Sequence, residues 1–306
     1  MEREGIIEKI ELYYQQYINQ DSDTLFNIAT NSFMQKIKSI PFCEYAWNMI
    51  KIKYPFSKED IEKEQEWTYT FLAKEADNID KIISFYLYWL EYIQEKRSKN
   101  NQLTQYYRNC YWLTTNSNIT EQQKIKLFKT DFIRLILDFL ILQLQEENYI
   151  LYLLNRYKQR IERFNSVKES VKKDTELKEL KLQKDILLYL FDQGIDIPNE
   201  TNQINSLYSA NIGNGEPDFI ITQHNKKPFI IEVKVCKSEE DVPDIKSKAV
   251  SQLKDYMSKC STTYGCLLIF TKEDYNFISD ENLHVFTIYI GDNTSCCRKT
   301  ETIKIK

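Results

Sequence analysis

The sequence predicts an α/β protein in which an all-helical region precedes a mixed sheet flanked by helices. Three observations predict this class. The 306 residues include only 6 Gly and 6 Pro, too few for a loop-rich all-β architecture. Apolar residues recur at helical spacing up to about residue 172. Beyond that point they form short runs or alternate with polar residues, as in β-strands. The expected domains are therefore residues 1–172 and 173–306.

The N-terminal region is predicted to be a series of amphipathic helices. The segment REGIIEKIELYYQQYI carries its apolar and aromatic residues at helical spacing. Ser57 with Asp60 three residues on resembles a helix-capping arrangement. The segment NIDKIISFYLYWLEYIQEK is apolar on most sides, which is typical of a central helix. From Thr120 onward the pattern fits one very long helix, or two helices with a break near Glu147 and Asn148.

The C-terminal region begins with a predicted helix from about Thr175 to Asp192, with Gly194 at its C′ position. A second helix is expected in DIKSKAVSQLKDYMSKC. The candidate strands are INSLYSA, DFIITQ, PFIIEVKV, YGCLLIF, HVFTIYI and ETIKIK. The predicted element order is α-β-β-β-α-β-β.

Charge and composition limit the function classes. The net charge of −4 argues mildly against a nucleic-acid binder. Between Arg156 and Lys184, however, ten basic and five acidic residues leave a local excess of five positive charges. Such an excess is either a solvated helix face or a surface that contacts phosphates.

Cysteine and histidine usage favours a reduced, cytoplasmic protein. The seven cysteines are odd in number and form no CxxC pair, so a zinc site is not predicted. Two histidines are too few for a multi-histidine metal cluster. The N-terminus is charged throughout, so no signal peptide is expected. The most apolar long stretch, residues 131–154, contains Arg134, Asp138, Glu146 and Glu147, so no membrane partner is expected either.

The segment GEPDFIITQHNKKPFIIEVKV places two carboxylates and an amine among apolar strand residues. Alternation along a strand puts Glu232 and Lys234 on one face. The short turn HNKK predicts an antiparallel hairpin, which brings Asp218 near Glu232 if the register allows it. Two convergent carboxylates suit Mg²⁺, with Mn²⁺ as a substitute, and a neighbouring lysine suits phosphodiester hydrolysis. The alternative is a solvated strand face with a weak cross-strand ion pair.

These motifs resemble the PD-(D/E)xK nuclease superfamily over about residues 175 to 272. The resemblance lies in the order of elements: a helix with an acid, PD, an apolar strand, E-x-K, a helix and a further strand. Gln252 and Tyr256, four residues apart on a helix, are similar to the Q-x-x-x-Y element of the RecB-like branch. The resemblance implies a restriction-endonuclease-like mixed sheet.

The resemblance also implies a set of site residues. Asp218, Glu232 and the main-chain carbonyl of Val233 would hold Mg²⁺, and Lys234 would position the attacking water. Glu179 would complete the acidic cluster directly or through water, with Glu176 as the second choice. Gln252 and Tyr256 would orient Lys234 or the nucleic-acid backbone.

The function expected from this resemblance is metal-dependent cleavage of nucleic acid, DNA in preference to RNA, in a restriction or defence context. Many members act as dimers, so a homodimer is an open expectation. The main alternative is a catalytically inactive nuclease fold that binds nucleic acid or a protein. With either function, the helical region would be a sensor, a substrate-binding domain or the contact for a protein partner, which its acidic charge suits.

Overall fold

The computed structural model confirms the α/β class, with a helical N-terminal region and a C-terminal mixed sheet flanked by helices. The chain divides into two compact units, Met1–Tyr149 and Ile150–Lys306. The boundary predicted near residue 172 lies outside the described part of the chain. The structure describes residues 3–20, 26–62, 75, 77–99, 120–144, 147–164, 169, 179–195, 217–221, 227–273, 275–279, 283–290 and 301–305.

The first unit is helical throughout its described ranges. Its elements are α1 (Arg3–Ile18), α2 (Phe26–Lys38), α3 (Pro41–Lys53), α4 (Ile79–Lys99), α5 (Glu121–Leu127), a π-helical turn (Phe128–Ile133) and α6 (Arg134–Leu144). Helix α1 buries the face predicted for it, including Ile6 and Ile10. Six successive residues of α4, 82–87, are buried, which confirms its predicted central place. None of the described helices combines the length and apolar character needed to cross a bilayer.

Two helix boundaries follow from local sequence signals. The backbone N–H of Asp60 donates to Ser57 Oγ (3.1 Å), and the backbone N–H of Ser57 donates to Asp60 Oδ2 (2.9 Å). This reciprocal pair confirms the predicted cap. After Thr120 the helical segment runs through α5, the π-helical turn and α6 to Leu144, and α7 (Glu147–Arg163) begins where the break was predicted.

The second unit carries the sheet. Its helices are the remainder of α7, α8 (Glu179–Asp192) and α9 (Val250–Lys259), and its strands are β1 (Phe219–Ile221), β2 (Phe229–Cys236), β3 (Gly265–Thr271), β4 (Tyr275–Ser279), β5 (His284–Tyr289) and β6 (Glu301–Ile305). The strand order is β1-β2-β3-β5, with β1 antiparallel to β2 and the other pairs parallel. Strands β4 and β6 form a separate parallel pair.

Five of the six predicted strands are present, and the sixth, INSLYSA, lies outside the described residues. Strand β4 was not predicted, because YNFIS is short and its partner β6 lies far along the chain. Helix α8 ends as predicted: Gly194 has a positive φ of 79°, and the Ile195 N–H donates to the Leu190 carbonyl (3.0 Å). This bond, which spans five residues, is the helix-ending pattern that favours glycine.

Helix α9 packs on strands β2 and β3 and builds the core of this unit. The buried side chains of α9, including Leu253 and Tyr256, join Leu267 and Ile269 from β3. The chain approaches α9 through a 3₁₀ turn (Glu239–Asp241), a helical turn (Val242–Asp244) and a π-helical segment (Ile245–Ala249). A Cβ at Gly265 would lie 2.5 Å from Met257 Sδ and 3.3 Å from Leu253 Cδ1. A side chain at the first residue of β3 would therefore require Met257 to move.

We expect Gly265→Ala to lower the free energy of unfolding by about 1–3 kcal/mol, the usual range for overpacking a core. Met257→Ala in the same chain should recover part of the loss, because it removes the side chain that the new methyl meets. Urea unfolding of the single and double variants measures both effects. Equal stability of Gly265→Ala and the wild type would contradict the close packing of α9 on β3.

Candidate active site

The register of the β1–β2 hairpin brings the predicted carboxylates to the same place. Phe219 pairs with Ile231, so the next step of the antiparallel ladder puts Asp218 opposite Glu232. The sequence left this register open. Ile230 and Cys236 share a strand face with Glu232 and Lys234, and both belong to the core that α9 covers. The acid and the amine thus lie on a largely buried face.

Two hydrogen bonds hold the Asp218 carboxylate. Oδ2 accepts the backbone N–H of Val233 at 2.6 Å, and Oδ1 accepts Gln183 Nε2 at 2.6 Å. Val233 lies on β2 beyond the three residues that pair with β1. The Asp218 side chain therefore accepts the Val233 N–H where a further residue of β1 would otherwise pair, and this holds it next to Glu232. Gln183 from α8 binds its other oxygen.

Gln183 is a site residue that sequence reasoning missed. It follows Glu179 by four residues, so the two occupy one face of α8, and that spacing is the signal that could have found it. Its partner Asp218 is 35 residues away, a distance over which sequence patterns indicate no contact.

Glu232 is the most strongly buried charged group of the site, with 2% of its surface exposed. Lys234 Nζ donates to Glu232 Oε1 at 2.6 Å, and the lysine side chain remains 22% exposed. Glu232 Oε2 is buried and has no hydrogen-bond partner. A carboxylate oxygen without a partner is unfavourable in such surroundings, so a cation at this position would be strongly stabilised.

Burial raises the pKa values of both carboxyls. Burial, reinforced by the charge of Glu232, raises the pKa of Asp218 to about 7, against the opposing effects of the Val233 N–H and Lys234. Burial also raises the pKa of Glu232, although Lys234 opposes the shift. Burial alone would lower the pKa of Lys234, but its bond to Glu232 and the nearby acids raise it. The amine is therefore protonated at neutral pH.

Glu179 is placed less closely than predicted. It is the first residue of α8, and its side chain is exposed. Its charge contributes to the raised pKa values of Asp218 and Glu232, so it lies within electrostatic reach. Within the described residues, no group of three or more His, Cys, Asp or Glu side chains is arranged to hold a metal ion. Among the described residues Glu179 therefore does not join the two carboxylates in a direct three-acid cluster, and its part through water stays a prediction. Glu176 lies outside the described residues.

Gln252 and Tyr256 lie together on α9, where Gln252 Nε2 contacts the Tyr256 hydroxyl at 3.4 Å. Tyr256 is 3% exposed and belongs to the core. Burial and the charge of Glu232 raise the pKa of Tyr256, which places its phenol within electrostatic range of the site. Of Gln252 and Tyr256, Tyr256 is therefore the residue that interacts electrostatically with Glu232.

The backbone of Val233 also faces the site. The N–H and C=O of one strand residue point to the same side, so the Val233 carbonyl lies along the edge that its N–H shares with Asp218. The available donors are thus two carboxylates, one of them with an unpaired oxygen, and one carbonyl. Hard oxygen donors of this kind fit Mg²⁺, which binds through one or two carboxylates and keeps several waters.

The family model of a domain of unknown function (DUF8371) matches residues 147–274 of the chain. The matched segment runs from the start of α7 past the end of β3 and includes every candidate site residue. No curated protein and no solved structure matches the chain.

We expect Asp218→Asn to stabilise the metal-free protein at pH 8 more than at pH 5. Folding raises the pKa of Asp218 from 3.8 to about 7, so the folded state binds this proton more tightly. The stabilisation from that proton is complete below pH 4 and is lost as the pH rises to about 7. The melting temperature of Asp218→Asn minus that of the wild type should be about 2–4 °C larger at pH 8 than at pH 5.

Asp255→Asn provides the matched control, because Asp255 lies on an exposed position of α9. Its effect on the melting temperature should be the same at both pH values. Thermal unfolding in EDTA measures all three proteins. A pH-independent difference between Asp218→Asn and wild type would contradict the raised pKa.

Proposed function

We propose that this chain is a Mg²⁺-dependent nuclease of the PD-(D/E)xK type that hydrolyses phosphodiester bonds, with DNA as the first substrate to test. The observation that carries the proposal is a pair of carboxylates, Glu232 buried and Asp218 half-buried, beside one lysine. Asp218 and Glu232 face each other across a hairpin, and Glu232 Oε2 has no partner. A purely structural ion pair would not leave a buried oxygen in that state.

The order of elements supports the same proposal. Helix α8, the β1–β2 hairpin, helix α9 and the parallel strand β3 follow one another in the order that the superfamily resemblance implies. The mixed arrangement, with β1 antiparallel and β3 parallel to β2, is compatible with a restriction-endonuclease-like core.

In the proposed site, Asp218, Glu232 and the Val233 carbonyl would hold the metal ion. Bound there, Mg²⁺ would supply Lewis-acid charge at the scissile phosphate and lower the pKa of a water ligand. Gln183 and the Val233 N–H hold Asp218 in place through its two oxygens. Glu232 orients the Lys234 ammonium, which has two further N–H groups to offer.

Lys234 would act on the reacting atoms. Its free N–H groups would position the attacking water and stabilise the negative charge that develops on the phosphate oxygens. Because the pKa of Lys234 is raised, the amine does not accept the proton of that water at neutral pH. Tyr256 would act as a positioning residue, since its buried ring packs in the core that carries the site.

We expect Lys234→Met to lower Mg²⁺-dependent cleavage at least about a hundredfold, the usual effect of removing one group that stabilises transition-state charge. Lys237→Met is the matched control, because Lys237 lies just after β2 and its side chain is exposed. Cleavage is measured on a panel of linear, circular, single-stranded and branched substrates, and products from closed circles would identify an endonuclease.

Two outcomes would count against the proposal. Equal cleavage by the Lys234→Met and Lys237→Met proteins would show that Lys234 takes no part in the reaction. An absence of cleavage by the wild type across the panel, with Mg²⁺ or Mn²⁺, would favour a nuclease fold that only binds its partner.

A further inference from the structure

A second candidate site lies between the C-terminal half of α7 and the end of α8, within the second unit. It is an open cleft of about 500 Å³, a size typical of ligand sites. Its lining residues, here called the arginine cleft, are Arg156, Gln159, Arg160, Arg163, Phe164, Tyr189, Asp192 and Gln193. Three arginines face one carboxylate, so the cleft has an excess of positive charge.

The arginines follow one another along α7. Positions 156, 160 and 163 repeat at helical spacing and span about 10 Å along the axis. The Arg160 guanidinium lies 5.7 Å from the centre of the Tyr189 ring on α8, and that of Arg156 lies 5.8 Å from the Tyr152 ring. Among the described residues, none of the three arginines forms an ion pair. Their N–H groups are therefore available to an anion.

The two helices that line the cleft are held together by side-chain contacts. The Tyr157 hydroxyl donates to Asp185 Oδ2 at 2.7 Å and so joins α7 to α8. The Tyr157 ring lies 5.2 Å from the Tyr189 ring and 6.4 Å from the Phe270 ring of β3, between centres. These contacts fix the spacing of the two helices.

Arg160 and Arg163 lie in the last turn of α7, where positive charge interacts favourably with the carbonyl end of the helix. That effect falls off within one turn, so it does not account for Arg156. The cleft also presents Phe164, 59% exposed, beside the arginines. A basic groove with an exposed aromatic ring is the combination that single-stranded nucleic acid binds, through phosphates and a stacked base.

We propose that the arginine cleft binds the phosphate backbone of a nucleic-acid strand, at a place separate from the carboxylate pair. This proposal rests on the proposed nuclease function, which supplies nucleic acid as the ligand. Gln183, which holds Asp218, and Asp192, which lines the cleft, are nine residues apart on α8. At 3.6 residues per turn their side chains lie on opposite sides of the helix, so the cleft is a second contact surface and not part of the carboxylate site.

The test is binding of a labelled single strand of about 12 nucleotides, a length within the range of known single-strand grooves. Fluorescence anisotropy is measured in EDTA, so that no cleavage interferes. The test variant is Arg160→Gln with Arg163→Gln. The control is Lys158→Gln with Lys184→Gln, which removes two positive charges from the same helices without altering a lining residue. Circular dichroism checks that both variants fold.

We expect the arginine variant to bind about tenfold more weakly than the control, because each lost phosphate contact weakens binding regardless of sequence. The slope of log affinity against log salt should fall by about 1.4, from two contacts at about 0.7 each on a single strand. Equal affinity of the two variants, or no binding of the strand by the wild type, would overturn the assignment. Arginine-dependent binding of a mononucleotide without binding of the strand would also overturn it.

Because this experiment requires no catalysis, it separates the two proposals. If the wild type cleaves nucleic acid but the arginine variant binds the strand as tightly as the wild type does, the role of the cleft is wrong and the nuclease proposal stands. If the arginine substitutions weaken strand binding but the wild type cleaves no substrate, strand binding by the cleft is supported and the nuclease proposal is wrong.

Discussion

The burial of the Glu232 carboxylate is the constraint on which the candidate site depends. Lys234 compensates Oε1, and the backbone of Asp218 also favours the charged form, but Oε2 is enclosed without a hydrogen-bond partner. Asp218 adds a second carboxyl at the same point, and burial, reinforced by the charge of Glu232, raises the pKa of Asp218 to about 7. Such an arrangement is unfavourable for the isolated chain. It becomes favourable once a cation occupies the space between the acids, and that gain would be part of the binding energy.

The fold maintains this arrangement from three sides. The hairpin register sets Asp218 opposite Glu232, and the Val233 N–H and Gln183 prevent the Asp218 side chain from turning to solvent. Helix α9 covers the strand face that carries the acid and the amine. The close contact at Gly265 lets α9 approach that face. Stability of the core and geometry of the site therefore depend on the same packing.

Local patterns predicted the parts of the fold that short-range physics determines. Alternation placed Glu232 and Lys234 together on β2, the Ser57–Asp60 pair marked a helix start, and Gly194 marked a helix end. These features depend on neighbours within a few residues, so a sequence states them directly.

Long-range contacts were less accessible to sequence reasoning. The bond from Gln183 to Asp218 and the pairing of β4 with β6 depend on how distant segments meet. The exposure of Glu179 depends on where α8 begins, and helix boundaries are the least certain part of a sequence prediction. The charge excess between Arg156 and Lys184 was visible in the sequence, but only the packing of α7 against α8 showed that three of its arginines line one cleft.

The most direct test of this account is isothermal titration of the protein with Mg²⁺ and Mn²⁺, compared with Glu232→Gln. We expect one metal ion per wild-type chain, with proton release near pH 7 because binding displaces the proton that Asp218 holds. The substitution should abolish this binding, since it removes the charge from the buried oxygen that has no partner. No metal binding by the wild type, or equal binding by both proteins, would contradict the claim that Asp218 and Glu232 form a cation site.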